Sequence, residues 1–277
     1  MAKNQSTRLT NQHKKSRGVV GIFGELAKGH DLKVGDVATA VMKGLEKEHP
    51  NLKFRHRGGI TKKEINEALR KVDNDLGKTL FVPNSRIKPD GGIVEVQDDA
   101  GKWRVVLVSE AKHQGKDVSN IRAGKLVGKN NDQDLMAAGN AIERSHKNIS
   151  EIANLMLSES HFPYALFLEG SNFLTTSIEI ERPDGRVVML DYNSGMLNRL
   201  DRLTSANYGL PINTNLCKNR FVTHKENCIM LQAASIYTQG SGEAWDAKEM
   251  AVVMFDIAKT SLKSLGRDLF EQLTENQ

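Results

Sequence analysis

The feature that most constrains the fold is a strand, a tight turn and a second strand between Pro89 and Lys112. Residues 92–97 alternate apolar and polar side chains, and the Asp-Asp-Ala-Gly segment that follows has the composition of a turn. Residues 103–108 are β-branched and almost wholly apolar, which favours a strand buried on both faces. A hairpin of this kind predicts a sheet in the interior of the protein.

Charged residues follow the buried run of this second strand. Side chains alternate along a strand, so Glu110 and Lys112 share a face and lie about 7 Å apart along it. Asp90 precedes the first strand and can return to the same end of the sheet. Carboxylates are preferred ligands of Mg²⁺, and a lysine beside them can orient or deprotonate a water, or offset charge on a phosphate. These residues predict a nuclease site of the P-D…(D/E)-x-K kind.

The three-residue pattern is weak by itself. An acidic residue two positions before a lysine also occurs at Asp31/Lys33 and Asp246/Lys248, and Pro-Asp recurs at 183–184. Taken singly, each is better explained as a turn or a solvated charge pair. The Glu110/Lys112 pair differs because it closes a hydrophobic strand that has a Pro-Asp one hairpin upstream, and this context favours a site.

Composition narrows the class of protein. Over 277 residues, 39% hydrophobic and 26% charged residues are typical of a soluble globular protein. No apolar run has membrane-spanning length and no signal-peptide core is present, so we expect no membrane association. Cys217 and Cys228 lack metal-ligand spacing, which favours a cytoplasmic location.

The net charge of +5 is concentrated at the N-terminus. Residues 1–17 contain five basic residues and no acidic one, so the remaining residues balance to zero. A flexible basic arm on a neutral body suits a polyanion such as nucleic acid, although a solubilising tail explains the charge equally well.

Strands alternate with helices along the chain, which predicts an α/β fold with a central mixed sheet flanked by helices. No linker divides the chain, so we expect a single domain over residues 1–277. The predicted helices cover 19–28, 32–48, 132–156, 197–208 and 244–273. A further helix is predicted to begin at the capping box Thr61-x-x-Glu64, with Ile65, Leu69, Val72 and Leu76 on its inner face. The further strands are predicted at 79–82, 164–168, 178–181, 187–192 and 228–231, with 164–168 beside 105–108 and the long helix as the crossover.

Two segments near the predicted site suggest DNA contacts. Residues 115–132 combine glycines with four cations, which favours a long mobile loop that orders on nucleic acid. The first turns of the helix that follows carry small side chains, and Asn140 and Arg144 there could contact bases in a groove. Ordinary close packing would also explain the small side chains.

Longer motifs resemble the EcoRI family of type II restriction endonucleases over essentially the whole chain. The motifs are I-K-P-D-G-G-I-V-E-V (87–96), E-A-K-H-Q-G-K-D (110–117), D-Q-D-L-M-A-A-G-N-A-I-E-R-S-H-K-N-I-S-E-I-A-N (132–154), L-F-L-E-G-S-N-F-L (166–174) and L-N-R-L-D-R-L-T (197–204). Motifs of this length are far more specific than the three-residue site pattern.

The resemblance implies a PD-(D/E)xK nuclease fold with arm extensions that embrace DNA. It implies a homodimeric, Mg²⁺-dependent endonuclease that cuts duplex DNA at the palindrome 5′-GAATTC and leaves 5′-phosphate overhangs. Asp90 and Glu110 would hold Mg²⁺ together with the Ala111 carbonyl, and Lys112 would position or activate the attacking water. The arm 1–17 and the loop 115–132 would close around DNA.

The resemblance also implies a set of DNA-contacting residues and a second enzyme. A cognate DNA methyltransferase would act on the same site without needing to bind this protein. The residues expected to contact DNA are Lys88, Met136, Ala137, Gly139, Asn140, Ala141, Arg144, Arg199 and Arg202.

Two alternatives stay open at this point. The same arm, groove helix and arginines would serve a sequence-specific DNA-binding protein without catalysis, in which the carboxylates are structural. A nuclease of this fold could also act on DNA structure or damage and not on a sequence.

Overall fold

The computed structural model describes residues 34–126, 141–192 and 199–266. Predictions for the arm 1–17, the helix 19–28 and the first turns of the long helix lie outside these residues. Within these ranges the helices are α1 (Val34–Glu48), α2 (Lys62–Val72), α3 (Asp117–Arg122), α4 (Ala141–Leu155), α5 (Leu200–Ala206) and α6 (Ala247–Leu265). The strands are β1 (Phe54–Arg57), β2 (Ile60–Thr61), β3 (Arg86–Ile87), β4 (Ile93–Gln97), β5 (Trp103–His113), β6 (Tyr164–Glu169), β7 (Ile178–Glu181), β8 (Val187–Leu190), β9 (Arg220–His224), β10 (Asn227–Leu231) and β11 (Ser235–Thr238).

The central sheet is mixed and has the strand order β1-β4-β5-β6-β11. Strands β1, β4 and β5 are antiparallel neighbours, whereas β5, β6 and β11 are parallel. Helix α4 lies in the connection between the parallel strands β5 and β6, as such a crossover requires. The predicted central hairpin and its parallel neighbour are thus confirmed.

Helices cover both faces of this sheet. On one face α1 and α6 pack against apolar residues of β4, β5, β6 and β11. On the other face α2, α4 and α5 pack against the alternate residues of the same strands, among them the fully buried Leu166 of β6. This three-layer arrangement confirms the predicted α/β sandwich with a central mixed sheet.

Local sequence signals account for several element boundaries. The Thr61 side chain accepts a hydrogen bond from the Glu64 backbone N–H, and the Glu64 carboxylate accepts one from the Thr61 N–H, which forms the predicted capping box of α2. The apolar stripe of α1 is buried as its spacing predicts, at Val34, Val37, Val41 and Leu45.

Two predictions for the segment 72–82 are wrong. Residues 79–82 do not form a strand; they lie in a loop in which Leu80 is fully exposed. Helix α2 ends at Val72, and Val72 and Leu76 are exposed instead of lying on its inner face. β-propensity without a partner strand does not make a strand, and an apolar spacing continued past a helix end has no packing surface.

The predicted loop 115–132 contains a short helix in its described part. Helix α3 buries Asp117 and Ile121, and Ile121 packs with Leu174, Ile180 and Leu190 below the hairpin of β7 and β8. This anchoring was not visible in the sequence because the helix has six residues, too few to show a period. Residues 127–132 lie outside the described part, and the ordering of this segment on DNA stays a prediction.

Two hairpins lie outside the central sheet. Strands β7 and β8 pair around the predicted Pro183-Asp184-Gly185 turn, and β9 pairs with β10. The strand predicted at 228–231 therefore exists, but it belongs to an exposed ribbon, and the fifth strand of the central sheet is β11, which was not predicted. Among the described helices, none combines the length and the apolar character needed to cross a membrane.

Candidate active site

The candidate site forms where β5 extends beyond its pairing with β4. Pairing between β4 and β5 ends with Ile93 opposite Val108, whereas pairing with β6 continues from Val108 to His113. The strand therefore extends beyond the end predicted from the sequence, and Glu110 lies within it. Within the described part of the chain, no strand pairs with this edge of β5 from Glu110 onward.

A turn fills this edge and brings Asp90 to the strand. The Gly91 N–H donates to the Ser109 carbonyl at 2.9 Å, and the Ser109 N–H donates to the Gly92 carbonyl at 3.2 Å. Gly92 has a φ of +74°, and a Cβ atom there would lie 2.5 Å from Nε2 of His56, so this turn requires glycine. The backbone geometry thus fixes Asp90 beside Glu110.

The three predicted catalytic side chains meet at one point. The ammonium nitrogen of Lys112 lies 2.5 Å from Oδ2 of Asp90 and 2.5 Å from Oε1 of Glu110. The Asp90 side chain is 46% exposed, Lys112 15% and Glu110 0%, so the site opens to solvent on the Asp90 side. A cation is held where two carboxylates converge, which is the arrangement that a divalent ion needs.

The Ala111 carbonyl is directed toward the same edge. Successive carbonyls of a strand point to opposite sides, so the Ala111 oxygen points as the Ser109 oxygen does, and the latter bonds Gly91 in the turn. The Ala111 side chain packs on the opposite face, against the core that α1 and α6 form. Two carboxylates and one carbonyl can therefore face a single ion.

Two further side chains hold Glu110, and the sequence analysis missed both. The Tyr164 hydroxyl donates to Oε2 of Glu110, and Nδ2 of Asn148 donates to Oε1 at 3.1 Å. Tyr164 opens the buried strand β6 and Asn148 lies on α4, so three elements meet at one carboxylate. The available signal was a tyrosine hydroxyl in an otherwise apolar run, because a buried hydroxyl needs a partner.

Burial and the neighbouring charges shift the pKa values of Glu110 and Lys112. Desolvation raises the pKa of Glu110, and the charge of Asp90 adds to this, while Lys112 and the Tyr164 hydrogen bond oppose it. Burial disfavours the charged form of Lys112, but its hydrogen bonds to Asp90 and Glu110 prevail and raise the pKa of Lys112. Lys112 is therefore an ammonium in this arrangement, able to donate hydrogen bonds but not to accept a proton.

The structure describes several of the residues that were predicted to contact DNA. Lys88 is exposed two residues before Asp90. Arg144 is exposed on α4, four residues from Asn148, so the two lie on one side of the helix and Arg144 is near the site. Arg199 is half-buried just before α5, where its N–H donates to the Asn172 carbonyl at 2.7 Å, and Arg202 is exposed on α5.

The rest of the predicted reading segment is not described. Ala141 is the first residue of α4. The other four predicted base contacts lie outside the described residues: Met136, Ala137, Gly139 and Asn140.

Two of the competing motifs lie in the described residues, and both have ordinary structural roles. Asp246 caps α6 by accepting a hydrogen bond from the Lys248 N–H at 2.8 Å. Asp184 lies in the exposed turn between β7 and β8. Asp31 and Lys33 lie outside the described residues.

Comparison with known proteins decides the family. The model of the restriction endonuclease EcoRI family matches residues 16–272. The chain belongs to the EcoRI family. The type II restriction enzyme EcoRI of Escherichia coli is 74% identical over 272 residues, which cover 98% of each chain. The type II restriction enzyme RsrI of Cereibacter sphaeroides is 51% identical over 267 residues, which cover 96% of each chain. The predicted resemblance and the predicted endonuclease class are confirmed.

Gly91→Ala is expected to reduce DNA cleavage by this EcoRI-family chain on the order of a hundredfold. The new Cβ would lie 2.2 Å from Oγ of Ser109 and 2.9 Å from its carbonyl oxygen, so the turn that carries Asp90 must move away from β5. Single-turnover cleavage rates test this. Gly58→Ala is the control, because no atom lies within 4 Å of its added Cβ. A wild-type rate for Gly91→Ala would show that the turn does not fix Asp90.

Glu110→Gln is expected to change how stability depends on pH in the metal-free protein. The folded pKa of Glu110 is raised above its ordinary value of 4.5, so the wild type loses stability as pH rises from about 4.5 through the folded pKa. The neutral glutamine has no such loss. Urea unfolding in EDTA should therefore show the variant gaining on the wild type as pH rises. A difference independent of pH would contradict the raised pKa.

Proposed function

We propose that this chain is a homodimeric, Mg²⁺-dependent endonuclease that cuts both strands of duplex DNA at 5′-GAATTC and leaves 5′-phosphate overhangs. The convergence of Asp90 and Glu110 on one cation, in a chain of the EcoRI family, is the observation that carries the proposal. The motifs that resemble the family support the choice of this palindrome.

Asp90, Glu110 and the Ala111 carbonyl would hold the metal ion. Among the described residues, no group of three or more His, Cys, Asp or Glu side chains could bind a metal. A pair of carboxylates is nevertheless a usual protein contribution to Mg²⁺, which keeps waters and takes substrate phosphate oxygens. When bound, the ion polarises the phosphodiester and lowers the pKa of a bound water.

The charge of the site gives a reason for a cation. Two ionised carboxylates and one ammonium leave a net negative charge at Asp90, Glu110 and Lys112. This charge repels the DNA backbone, which is itself a polyanion. A divalent cation between the carboxylates would reverse the sign of the site and admit the phosphate.

Lys112 would then leave the carboxylates and act on the phosphate. We assign it to orienting the water and to stabilising the negative charge that develops on the phosphate, as a lysine ammonium can do. Attack of the water on phosphorus breaks the bond to the 3′ oxygen, which leaves a 3′-hydroxyl and a 5′-phosphate.

DNA contacts divide into positioning and reading. The exposed Lys88 suits a backbone phosphate near Asp90, and the arm 1–17 and the segment 115–132 would add phosphate contacts. Sequence would be read by residues within 136–144 and by two arginines of the later segment 199–202: Met136, Ala137, Gly139, Asn140, Ala141, Arg144, Arg199 and Arg202.

The remaining parts of the proposal follow from the substrate. A palindrome with two equivalent scissile bonds calls for a two-fold symmetric dimer in which each subunit cuts one strand. The enzyme would act in the cytoplasm, in agreement with the unpaired cysteines. A methyltransferase of the same specificity would protect the host DNA.

Incubation of the purified full-length protein with a plasmid that carries one GAATTC tests the reaction, the metal and the site together. We expect one double-strand cut with Mg²⁺, no cut with EDTA, and ends that sequence to 5′-phosphate overhangs. A plasmid with one base of the hexanucleotide changed is the control. Intact DNA with a footprint at the site would favour a binding protein, and cuts elsewhere would discard the assigned sequence.

Paired variants test the assigned residues. Glu110→Gln and Asp90→Asn should each lower cleavage by at least about a hundredfold while specific DNA binding in EDTA persists. Asp184→Asn is the matched control, because it changes the other Pro-Asp of the chain, whose side chain is 64% exposed in a turn. Normal cleavage by Glu110→Gln would remove that residue from the mechanism.

A further inference from the structure

The Glu110 carboxylate is held at both of its oxygens. Oε1 faces Lys112 and Asn148, which lie 2.5 Å and 3.1 Å away, and Oε2 accepts a hydrogen bond from the Tyr164 hydroxyl. A carboxylate can otherwise rotate and present either oxygen. The two oxygens of Glu110 thus have different partners, and Oε1 is the one that lies beside Asp90 and its bound ammonium.

Tyr164 is itself fixed in place. It is fully buried at the start of β6, pairs in register with Val108 of β5, and stacks on Phe162 with ring centroids 5.8 Å apart. The hydroxyl cannot swing away without displacing the side chains that pack around the ring. Burial and the charge of Glu110 raise the pKa of Tyr164 well above its ordinary value, so the hydroxyl keeps its proton and donates.

We propose that Tyr164 is a positioning residue that occupies Oε2 of Glu110 and thereby directs Oε1 to the divalent metal and toward Asp90. The inference rests on the proposed function. Hydrogen bonds of this kind orient metal-ligating carboxylates, and their loss typically costs about tenfold to a hundredfold in metal affinity or activity. Tyr164 touches neither the metal nor the DNA in this scheme and acts through Glu110.

Tyr164→Phe isolates the hydroxyl, because the ring and its packing remain. The control is Tyr237→Phe, which removes the hydroxyl of a second buried tyrosine in the same sheet, on strand β11 and at the opposite face. We expect Tyr164→Phe to require at least about a tenfold higher Mg²⁺ concentration for half-maximal single-turnover cleavage. Specific DNA binding in EDTA should equal that of the wild type, and Tyr237→Phe should match the wild type in both assays.

Metal binding is measured apart from cleavage. Electron paramagnetic resonance of Mn²⁺ titrated into the complex of protein and uncleavable specific DNA reports the affinity of the site. The affinity should fall by a similar factor in Tyr164→Phe. In a Glu110→Ala background the same tyrosine change should have no further effect, since the residue acts through Glu110. Unchanged Mn²⁺ affinity in Tyr164→Phe, or an equal loss in the Glu110→Ala background, would overturn the inference.

A donor that replaces the hydroxyl gives an independent test. Incorporation of 4-aminophenylalanine at position 164 keeps an N–H where the hydroxyl stood, and it should restore Mn²⁺ affinity relative to Tyr164→Phe. If Tyr164→Phe fails to bind DNA, the protein with 4-aminophenylalanine at position 164 provides the test. Normal DNA binding but weak Mn²⁺ binding by that protein would overturn the inference. Failure of the wild type to cut DNA with Mg²⁺ would instead overturn the proposed function.

Discussion

The site depends on a stagger between neighbouring strands of the central sheet. Strand β5 pairs with β4 only as far as Val108 but continues along β6 to His113. The free edge is closed by a turn whose backbone bonds Ser109, so Asp90 arrives beside Glu110 through the hydrogen bonds of the sheet. A side chain carried on a strand is held more precisely than one on a loop, and the side chains of the candidate site are held by two strands and a hydrogen-bonded turn.

Burial of the Glu110 carboxylate is locally unfavourable for the free energy of folding. Glu110 has no exposed surface, and moving a charge out of water is unfavourable unless it is paired and hydrogen-bonded. Lys112, Tyr164 and Asn148 supply those partners from one face of the sheet and one helix. Ionisable side chains with perturbed pKa values, such as Glu110, cluster in active sites.

Helix α4 carries residues both of the candidate site and of the proposed DNA contacts. It lies between β5 and β6 in the chain, in the connection between these two parallel strands. Asn148 on this helix bonds Glu110, and Arg144 lies one turn earlier. A shift of the helix on binding DNA would therefore be felt at the carboxylate. Under the proposed function, this helix would couple recognition of the DNA sequence to cleavage.

The sequence by itself determined the elements whose signals are local: the central hairpin, the buried strand β6, the capping box of α2 and the stripe of α1. Long motifs also determined the family, because each extends over many residues. The sequence favoured Glu110 and Lys112 over two other pairs of the same spacing, and the tertiary structure shows that their side chains meet Asp90. Only the tertiary structure excluded a strand at 79–82, gave β11 the edge of the sheet and placed Tyr164 against Glu110. These outcomes depend on pairing between residues far apart in the chain, and local propensity carries no information about partners.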